Sequence, residues 1–273
     1  MNREQLGMLK YWIYERANIL QKKEANEPKP WSNDPIFQQF RFCNVRREDD
    51  FVTRWFAENW RHPKYWDEPN FIPAIILGRT INWPQTLDKL GFPHEFRPVQ
   101  MIDTMDQIQQ RGGKVYTGAY MITAGPTGVR KNVWVIGNAE TYFRHPPVLD
   151  PSSIKRSWEI IMESKYPCVG PFIAGQIIAD LKQTRHLCEA KDWWDWAAVG
   201  PGSTRGLNRL FDRKLNQPVP QEQALKEMLQ VREEADICFE LCLQDIQNCL
   251  CEFDKYMRVK LGQGKPRAGY PGR

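Results

Sequence analysis

The sequence predicts a mainly α-helical fold, and three observations support this prediction. Apolar residues recur at spacings of three and four along most of the 273-residue chain, which is the period of one helix face. Glycine or proline marks the ends of several of these runs. No internal repeat and no alternation of strand and helix patterns is found. The content of 41 % hydrophobic and 26 % charged residues is ordinary for a globular protein and argues against global disorder.

The length is compatible with one large domain or two small ones. We expect one helical domain over residues 1–273, either undivided or with lobes at about 1–147 and 148–261, and a basic arm over 262–273. No window approaches 18 consecutive apolar residues, so neither a transmembrane helix nor a membrane partner is expected. Charged residues interrupt the first 20 positions, so we expect no secretory signal and a cytosolic location.

The first half of the chain contains five runs with helical periodicity. The run that starts near Arg46 has Asn44 as its candidate N-cap and ends at His62. The region 115–136 is ambiguous, because a short hairpin and a helix with a loop both satisfy its pattern. The five helices are expected at residues 3–22, about 46–61, 70–77, 83–90 and 99–108.

The second half of the chain is more strongly helical. Its first helix has Asp150 or Ser152 as a candidate cap. Its last and longest helix follows two prolines and carries an apolar stripe with a mixed spacing of three and four. The helices are expected at residues about 154–162, 172–182, 192–197, 203–215 and 221–260.

The seven cysteines do not form a metal-binding pattern. No CxxC pair occurs, and the four histidines form no HxxxH or HExxH arrangement, so we expect no zinc site, no other metal and no cofactor. Cys238, Cys242 and Cys249 follow the stripe of the last helix. We therefore interpret the cysteines as free thiols that fill an apolar core in a reducing compartment.

The net charge of +5 conceals two stretches that lack acidic residues. The first lies between Asp106 and Glu140, and the second is the tail over residues 255–273, which reads KYMRVKLGQGKPRAGYPGR. A basic arm after a helix suits contact with a phosphate backbone. A solvated chain terminus is the equal alternative for the same residues.

Two glycine turns could place backbone N–H groups against phosphates. Gly170 follows Val169 in SKYPCVGPFIAGQII, a turn that resembles the helix-hairpin-helix element of DNA glycosylases. In AAVGPGSTRGLNRLF, Gly200 and Gly202 form a bend, Ser203 or Thr204 caps the next helix, and Arg205 lies in its first turn. Either turn alone is more often an ordinary connection between helices, and only the two turns together in a mildly basic chain make nucleic-acid binding an equal alternative.

The densest polar cluster is RFCNVRREDD. On a helix, Asn44, Arg47 and Asp50 would share one face, with Arg47 able to hold a phosphate and Asp50 able to act as a general base or to fix Arg47. A salt bridge between residues three apart, with an N-cap, explains the cluster equally well. A further cluster, EFDKYMR, places Asp254 and Lys255 one turn before Arg258, which is equally typical of a solvated helix face.

Three tryptophans lie close together in the chain at Trp193, Trp194 and Trp196. Because they cannot all face one core from a single helix, we expect at least one of them near the surface. An exposed ring beside basic groups suits stacking on a nucleobase. Packing between helices is the more common use of any one tryptophan.

Three segments resemble the phage α-glutamyl/putrescinyl thymine pyrophosphorylase family. They are FCNVRREDDFVTRWF, VGPGSTRGLNRL and CEFDKYMRVKLGQGKPRAGY. The resemblance implies a helical fold like that of helix-hairpin-helix DNA glycosylases and action on phage DNA that carries phosphorylated 5-hydroxymethyluracil. The implied reaction replaces the phosphate with an amine from an amino acid or a polyamine, in the cytoplasm of the host cell.

The resemblance also implies roles for the residues above. Arg47, with Arg205 or Lys255, would bind the departing phosphate, and Asp50 or Asp254 would deprotonate the amine. The pyrimidine edge would be held by Asn44. The residues expected to bind DNA or phosphate are Gly170, Gly200, Gly202, Ser203, Arg205 and Arg258.

Two other functions remain open from the sequence. A DNA glycosylase would need an activating carboxylate, for which Asp180 and Asp192 are candidates. A non-catalytic DNA-binding partner of the base kinase is the second alternative. The sequence holds no P-loop motif GxxxxGK[ST], so the kinase itself is not expected.

Overall fold

A computed structural model describes residues 1–118 and 125–264 of the chain. These residues form α-helices and contain no β-strand, which confirms the mainly α fold. The finer expectation of a glycosylase-like helix-hairpin-helix fold stays a prediction. The helices are α1 (Arg3–Glu24), α2 (Pro35–Gln39), α3 (Phe51–Glu58), α4 (Phe71–Ile81), α5 (Pro84–Leu90), α6 (Pro98–Gln110), α7 (Lys131–Arg144), α8 (Ile154–Glu163), α9 (Pro171–Leu181), α10 (Pro201–Leu210), α11 (Gln221–Ala235) and α12 (Leu243–Lys260).

The chain divides into two compact units. The first unit contains Met1–Asp50 and the described part of Trp194–Arg273, and the second contains Phe51–Trp193. The first unit is therefore built from both ends of the chain, and its boundaries differ from the lobes that we expected to meet at residue 147. Whether the chain is one folding domain stays a prediction.

Helix α12 forms the centre of the first unit and packs against α1, α10 and α11. Its side chains Phe253 and Tyr256 are buried in the same core cluster as Trp12 of α1. The ring of Phe37 lies 5.4 Å from that of Tyr256 and 6.4 Å from that of Trp12. Burial of several large rings at one point contributes a large share of the apolar stabilisation, at about 1.5–3 kcal/mol for each large side chain.

The contact between α10 and α12 depends on two glycines. Gly202 and Gly206 lie one turn apart on α10, so they share a helix face. A Cβ at Gly202 would overlap the Sγ of Cys251, and a Cβ at Gly206 would overlap the carbonyl group of Leu250. The glycines therefore allow the two helices to approach closely. A contact of Gly202 with DNA stays a prediction.

The expected long helix over 221–260 was wrong, because the chain leaves the helix between α11 and α12. Asp236 adopts a left-handed conformation with φ 46°. In the break, the backbone N–H of Cys238 donates to the Tyr14 hydroxyl at 3.0 Å, and that of Leu243 donates to the Trp194 carbonyl at 2.9 Å. These long-range hydrogen bonds satisfy backbone N–H groups that would otherwise bond within a helix. A pattern of apolar spacing does not reveal such distant partners.

Two other helix predictions also failed. Helix α3 begins at Phe51 rather than near Arg46, and only a short 3₁₀ turn at Arg47–Asp49 precedes it. The segment 192–197 forms turns and no helix. Before α3, the carboxylate of Asp50 accepts the backbone N–H of Asn44 at 2.7 Å, and such side-chain bonds compete with helix formation. The ambiguous region 115–136 contains the start of α7, while residues 119–124 lie outside the described part.

The second unit is arranged around α4, which packs against α5, α7 and α9. Nearly the whole of α4 is buried, including Arg79. The guanidinium of Arg79 forms an ion pair with the fully buried Asp180 of α9 and donates to the Thr53 hydroxyl at 3.2 Å. Helix α8 packs against α9, and the turn that connects the two helices contains Gly170.

A basic arm was expected over 262–273. The structure describes only residues 262–264 of it, and the rest lies outside the described residues. Within the described helices, none is both long enough and apolar enough to cross a membrane.

Candidate functional site

Helix α12 and the connector over residues 41–50 bring together most of the residues that the sequence singled out. The residues that lie in this part of the first unit are Asn44, Arg47, Asp50, Gly202, Ser203, Arg205, Asp254, Lys255 and Arg258. Gly170 belongs to the second unit. The structure therefore packs the connector and α10 against α12, the helix that carries the EFDKYMR cluster.

Asn44 fixes the shape of the connector. Its amide Nδ2 donates to the Asp49 carbonyl at 2.6 Å, its Oδ1 accepts from Arg16, and its backbone N–H donates to Asp50 Oδ1 at 2.7 Å. The amide of Asn248 on α12 donates to the Asn44 carbonyl at 2.9 Å. This buried asparagine thus has a structural role, and its contact with a pyrimidine stays a prediction.

The expectation that Asn44, Arg47 and Asp50 share a helix face was wrong, because the connector is not an α-helix. Arg47 is buried, with 5 % of its surface exposed, and its backbone N–H donates to Asp245 Oδ1 at 3.0 Å. Its guanidinium lies 3.5 Å from the carboxylate of Glu48. A phosphate would have to reach a side chain that is already enclosed by protein, so Arg47 remains a predicted ligand only.

Asp50 is the carboxylate in this region with the clearest shift in acidity. Burial raises the pKa of Asp50 to about 6, the hydrogen bond from the Asn44 N–H opposes the shift, and the charge of Glu252 adds to it. Part of the side chain remains accessible at the surface. A carboxyl group with a pKa near neutrality can accept or release a proton at physiological pH.

Glu252 and Lys255 form the next pair along α12. The Lys255 Nζ lies 2.5 Å from Glu252 Oε1, and Glu252 Oε2 accepts the backbone N–H of Cys43 at 3.1 Å. Burial opposes the charge on Lys255, but the carboxylate of Glu252 outweighs it, so the pKa of Lys255 is raised. Burial also raises the pKa of the Cys43 thiol well above its usual value, so this thiol stays protonated.

Asp254 is fully buried and is surrounded by three arginines. The Nε atoms of Arg205 and Arg209 each lie 2.9 Å from one of its oxygens, and the Nε of Arg258 lies 3.3 Å from Oδ2. The Nε of Arg258 is buried without the alignment of a hydrogen bond. A carboxylate in this position orients cations. The geometry favours that role over the proton transfer that we expected for Asp254.

This cluster carries excess positive charge. Three guanidinium groups surround one carboxylate, so two positive charges are not compensated within the cluster. The side chains of Arg205 and Arg258 are 30 % and 31 % exposed, whereas that of Arg209 is 5 % exposed. Partly exposed arginines with fixed Nε atoms are well suited to bind an anion from solution.

The glycine turn at the start of α10 is closed by its own side chains. The Ser203 hydroxyl interacts with both the backbone N–H and the carbonyl of Gly200, at 3.1 and 3.0 Å. Ser203 is fully buried and its Oγ accepts from Gln247 at 3.3 Å. Its hydroxyl therefore caps the helix from inside, and a contact of this turn with DNA stays a prediction.

The two carboxylates proposed for a glycosylase have structural partners in the second unit. Asp180 is paired with Arg79 and Arg61. Asp192 accepts the backbone N–H groups of Ile154 and Lys155, at 2.6 and 2.9 Å, and thereby caps α8. Neither carboxylate is free to activate a water, so the structure gives no support to excision of a base.

A cavity of about 620 Å³ lies on the first unit beside the break between α11 and α12. Trp194, 47 % exposed, lines it, while Trp196 is buried, so the expectation that one tryptophan of this group lies near the surface is confirmed. Arg232 also lines the cavity, and its Nη2 lies 2.7 Å from Asp195 Oδ1. The cavity itself was not predicted, because the apolar pattern indicated a continuous helix where the structure has a break.

Two residues of the site, Arg209 and Glu252, were not predicted from the sequence. Helical spacing could have indicated both residues, because residues three or four apart share a helix face. Arg209 lies four residues after Arg205 on α10, and Glu252 lies three residues before Lys255 on α12. Within the described residues, no group of three or more histidine, cysteine, aspartate or glutamate side chains could hold a metal ion. All seven cysteines are free, and Cys238 is exposed in the break rather than buried in a stripe.

Comparison with known proteins assigns the family. A family model described as the helical domain of 5-hmdU DNA kinase matches residues 4–265. The chain belongs to this family. It is 25 % identical over 224 residues to a 5-hmdU DNA kinase of Bacillus phage SP10, an alignment that covers 73 % of the chain and 35 % of the phage protein. The chain thus spans about a third of that relative's length. No solved structure matches the chain.

This assignment corrects the resemblance drawn from short motifs. Those motifs pointed to the thymine pyrophosphorylase family and to transfer of an amine, whereas the family model covers residues 4–265 and names a kinase. The transfer of an amino acid or polyamine therefore lacks support. The missing P-loop was also a weak reason to exclude a kinase, because the matching family describes a helical domain only.

Proposed function

We propose that this chain acts in the phosphorylation of 5-hydroxymethyluracil in DNA and contributes the helical, DNA-binding part of a 5-hmdU DNA kinase. The observation that carries the proposal is the family match over residues 4–265. In the proposed reaction, the oxygen of the 5-hydroxymethyl group forms a bond to the phosphorus of a phosphoryl donor and loses its proton. The bond between that phosphorus and the rest of the donor breaks, and the remainder of the donor leaves with the electron pair. The host cytoplasm is the proposed location, since the Bacillus relative is a phage protein.

The charge distribution of the first unit supports the DNA-binding part of this proposal. Helices α10 and α12 present Arg205 and Arg258 beside a buried aspartate, with excess positive charge. Phosphate contacts by such cations supply most of the sequence-independent affinity for DNA. The sequence holds no P-loop motif, so we assign no binding of the phosphoryl donor to these residues.

Asp50 is our candidate for the group that accepts the proton of the hydroxymethyl oxygen. A pKa of about 6 leaves most of this carboxyl ionised at neutral pH, yet keeps it basic enough to take a proton in the transition state. Protein kinases place an aspartate against the hydroxyl of their substrate in the same way. The backbone N–H of Asn44 holds Asp50 in position by a hydrogen bond, and the negative charge of Glu252 helps to keep its pKa raised.

Equilibrium binding tests the proposal. A labelled duplex that carries 5-hydroxymethyluracil is titrated with the full chain, and an otherwise identical duplex with thymine is the reference. We expect tighter binding of the modified duplex, and a steep loss of affinity for both as salt rises from about 50 to about 200 mM. A folded chain that binds neither duplex at low salt would contradict the proposal.

A second measurement separates binding from catalysis. The chain is incubated with the modified duplex and γ-labelled ATP, and the nucleosides are separated and identified by mass. Label on the 5-methylene oxygen would extend the proposal to a complete kinase. Binding without label would restrict the chain to the DNA-binding part, as the absent P-loop leads us to expect.

A further inference from the structure

We propose that Arg205 and Arg258, held by Asp254, form an arginine clamp that binds one phosphate of the DNA strand. The proposal rests on the proposed function, since it names the residues through which the chain would hold its DNA. It also gives Asp254 the part of a positioning residue, which acts through the two arginines and does not touch the substrate.

The first support is the way in which the guanidinium groups are used. Arg205 and Arg258 both approach Asp254 Oδ2 through their Nε atoms, at 2.9 and 3.3 Å. Their terminal η nitrogens donate no hydrogen bond to any residue in 1–118 or 125–264. The Nη1 and Nη2 groups of each arginine can thus donate to another acceptor, while its Nε is held beside Asp254.

The third arginine is committed to the protein. Arg209 donates from Nε to Asp254 Oδ1 at 2.9 Å and from Nη2 to Gln263 Oε1 at 2.9 Å. It is buried, so it balances the charge of Asp254 from inside. This leaves Arg205 and Arg258 as the two cations of the cluster that can meet an external anion.

The clamp is also preorganised by the backbone. Arg205 precedes Gly206 on α10, and Arg258 lies one turn after Asp254 on α12. Because Gly206 brings α10 against Leu250, the two arginines come from helices whose spacing is fixed. Side chains that are already ordered lose less conformational entropy when a ligand binds.

The chemistry of the clamp suits a phosphodiester. Two guanidinium forks can donate to the two non-bridging oxygens of a phosphodiester, and their positive charge attracts its negative charge. The phosphate of a nucleotide has the same chemistry. We commit to the DNA backbone because the family match describes the helical part of a DNA kinase, and binding measured with DNA and with ATP separates the two sources.

The test compares Arg205→Gln, Arg258→Gln and Lys226→Gln. Lys226 is exposed on α11, so its substitution removes one charge away from the clamp. Binding of the 5-hydroxymethyluracil duplex and of ATP is measured for each folded variant over a range of salt. We expect each clamp variant to bind DNA about 5- to 30-fold more weakly and with a salt slope reduced by about one, with ATP binding unchanged. Lys226→Gln should behave as wild type.

Each outcome decides between the proposals. If the clamp variants bind DNA as tightly as Lys226→Gln does, the clamp is overturned. The proposed function still stands in that case, provided that the wild-type chain binds DNA. Loss of ATP binding without loss of DNA binding would assign the clamp to a nucleotide and overturn the DNA source. A wild-type chain that fails to bind DNA at low salt removes the proposed function and the clamp together.

A further variant tests the positioning role of Asp254. Asp254→Asn keeps the shape of the side chain and removes the charge that orients both arginines. We expect DNA affinity to fall by about as much as in either single arginine variant, and Asp254→Asn combined with Arg205→Gln to lose less than the two effects added. Full additivity would show that Asp254 does not act through Arg205. Circular dichroism identifies any variant that fails to fold, and the two arginine variants then decide the clamp alone.

Discussion

Gly206 lies against the carbonyl group of Leu250 with no space for a side chain between them. A Cβ built on Gly206 would be 2.9 Å from the carbonyl carbon of Leu250 and still closer to its oxygen. The obstacle is backbone in the middle of α12, which cannot rotate away as a side chain could. The position of Arg205 next to this glycine therefore depends on a helix contact that tolerates only glycine.

Substitution Gly206→Ala should destabilise the protein by about 1–3 kcal/mol, because overpacking forces α10 away from α12. The free energy of unfolding is measured in urea. Gly7→Ala is the control, because a Cβ at Gly7 on α1 meets no atom within 4 Å. That control should gain about 0.5–1 kcal/mol from a better helix residue. Equal stability of the two variants would show that α10 and α12 can separate freely.

Asp50 predicts a pH dependence of stability. Its pKa rises from the ordinary aspartate value of 3.8 to about 6 in the folded protein, chiefly because of burial. The folded state therefore binds a proton that the unfolded state lacks between about pH 4 and pH 6, so this group makes the protein more stable as pH falls through that window. Above it, the charged carboxylate is a cost to folding.

Asp50→Asn isolates this effect, because the amide oxygen can still accept the N–H of Asn44. Relative to wild type, the variant should gain stability as pH rises through 6, by about 1–2 kcal/mol after allowance for partial exposure. Urea unfolding at about pH 5 and about pH 8 gives the difference. Parallel pH profiles for the two proteins would contradict the raised pKa.

The fold was predictable where an apolar period and a local stop signal coincide. Helix α5 ends at Leu90, directly before Gly91, and α6 ends before Gly112, as the sequence indicated. The break after Asp236 was not predictable, because the apolar spacing continues across it. Its cause is a set of hydrogen bonds to residues far away in the chain, such as Tyr14, which no local pattern contains.

The candidate site was predictable in its residue types and less so in their partners. Asp254 and Arg258 are one helical turn apart, so their contact follows from spacing alone. The approach of Arg205 to the same carboxylate joins positions 49 residues apart. The family, in turn, needed comparison over most of the chain, since short motifs around Asn44 pointed to a different enzyme.

Asp192 predicts a local effect on the second unit. Its carboxylate binds two backbone N–H groups at the start of α8 and the hydroxyl of Ser153 at 3.1 Å. Asp192→Ala should therefore cost about 1–2 kcal/mol of unfolding free energy, as loss of a helix cap does. Asp103→Ala on the exposed face of α6 is the control and should leave the stability unchanged. Hydrogen exchange at Ile154 and Lys155 should speed up only in the first variant.

The ion pair of Arg79 and Asp180 predicts the largest single loss. Both side chains are almost fully buried, and Asp180 also lies 3.4 Å from Arg61. Asp180→Ala leaves two arginines without their shared carboxylate in a medium of low polarity, which should cost about 3–5 kcal/mol.

Glu95→Ala is the matched control for the loss of Asp180, because Glu95 pairs with Arg97 at the surface, where both side chains are more than half exposed. Water solvates both ends of that pair, so its loss should leave the melting temperature unchanged. Thermal unfolding followed by circular dichroism measures both variants. A loss at Asp180 no larger than that at Glu95 would mean that Arg79 finds another anion or reaches water. The buried pair would then not be what holds α4 against α9.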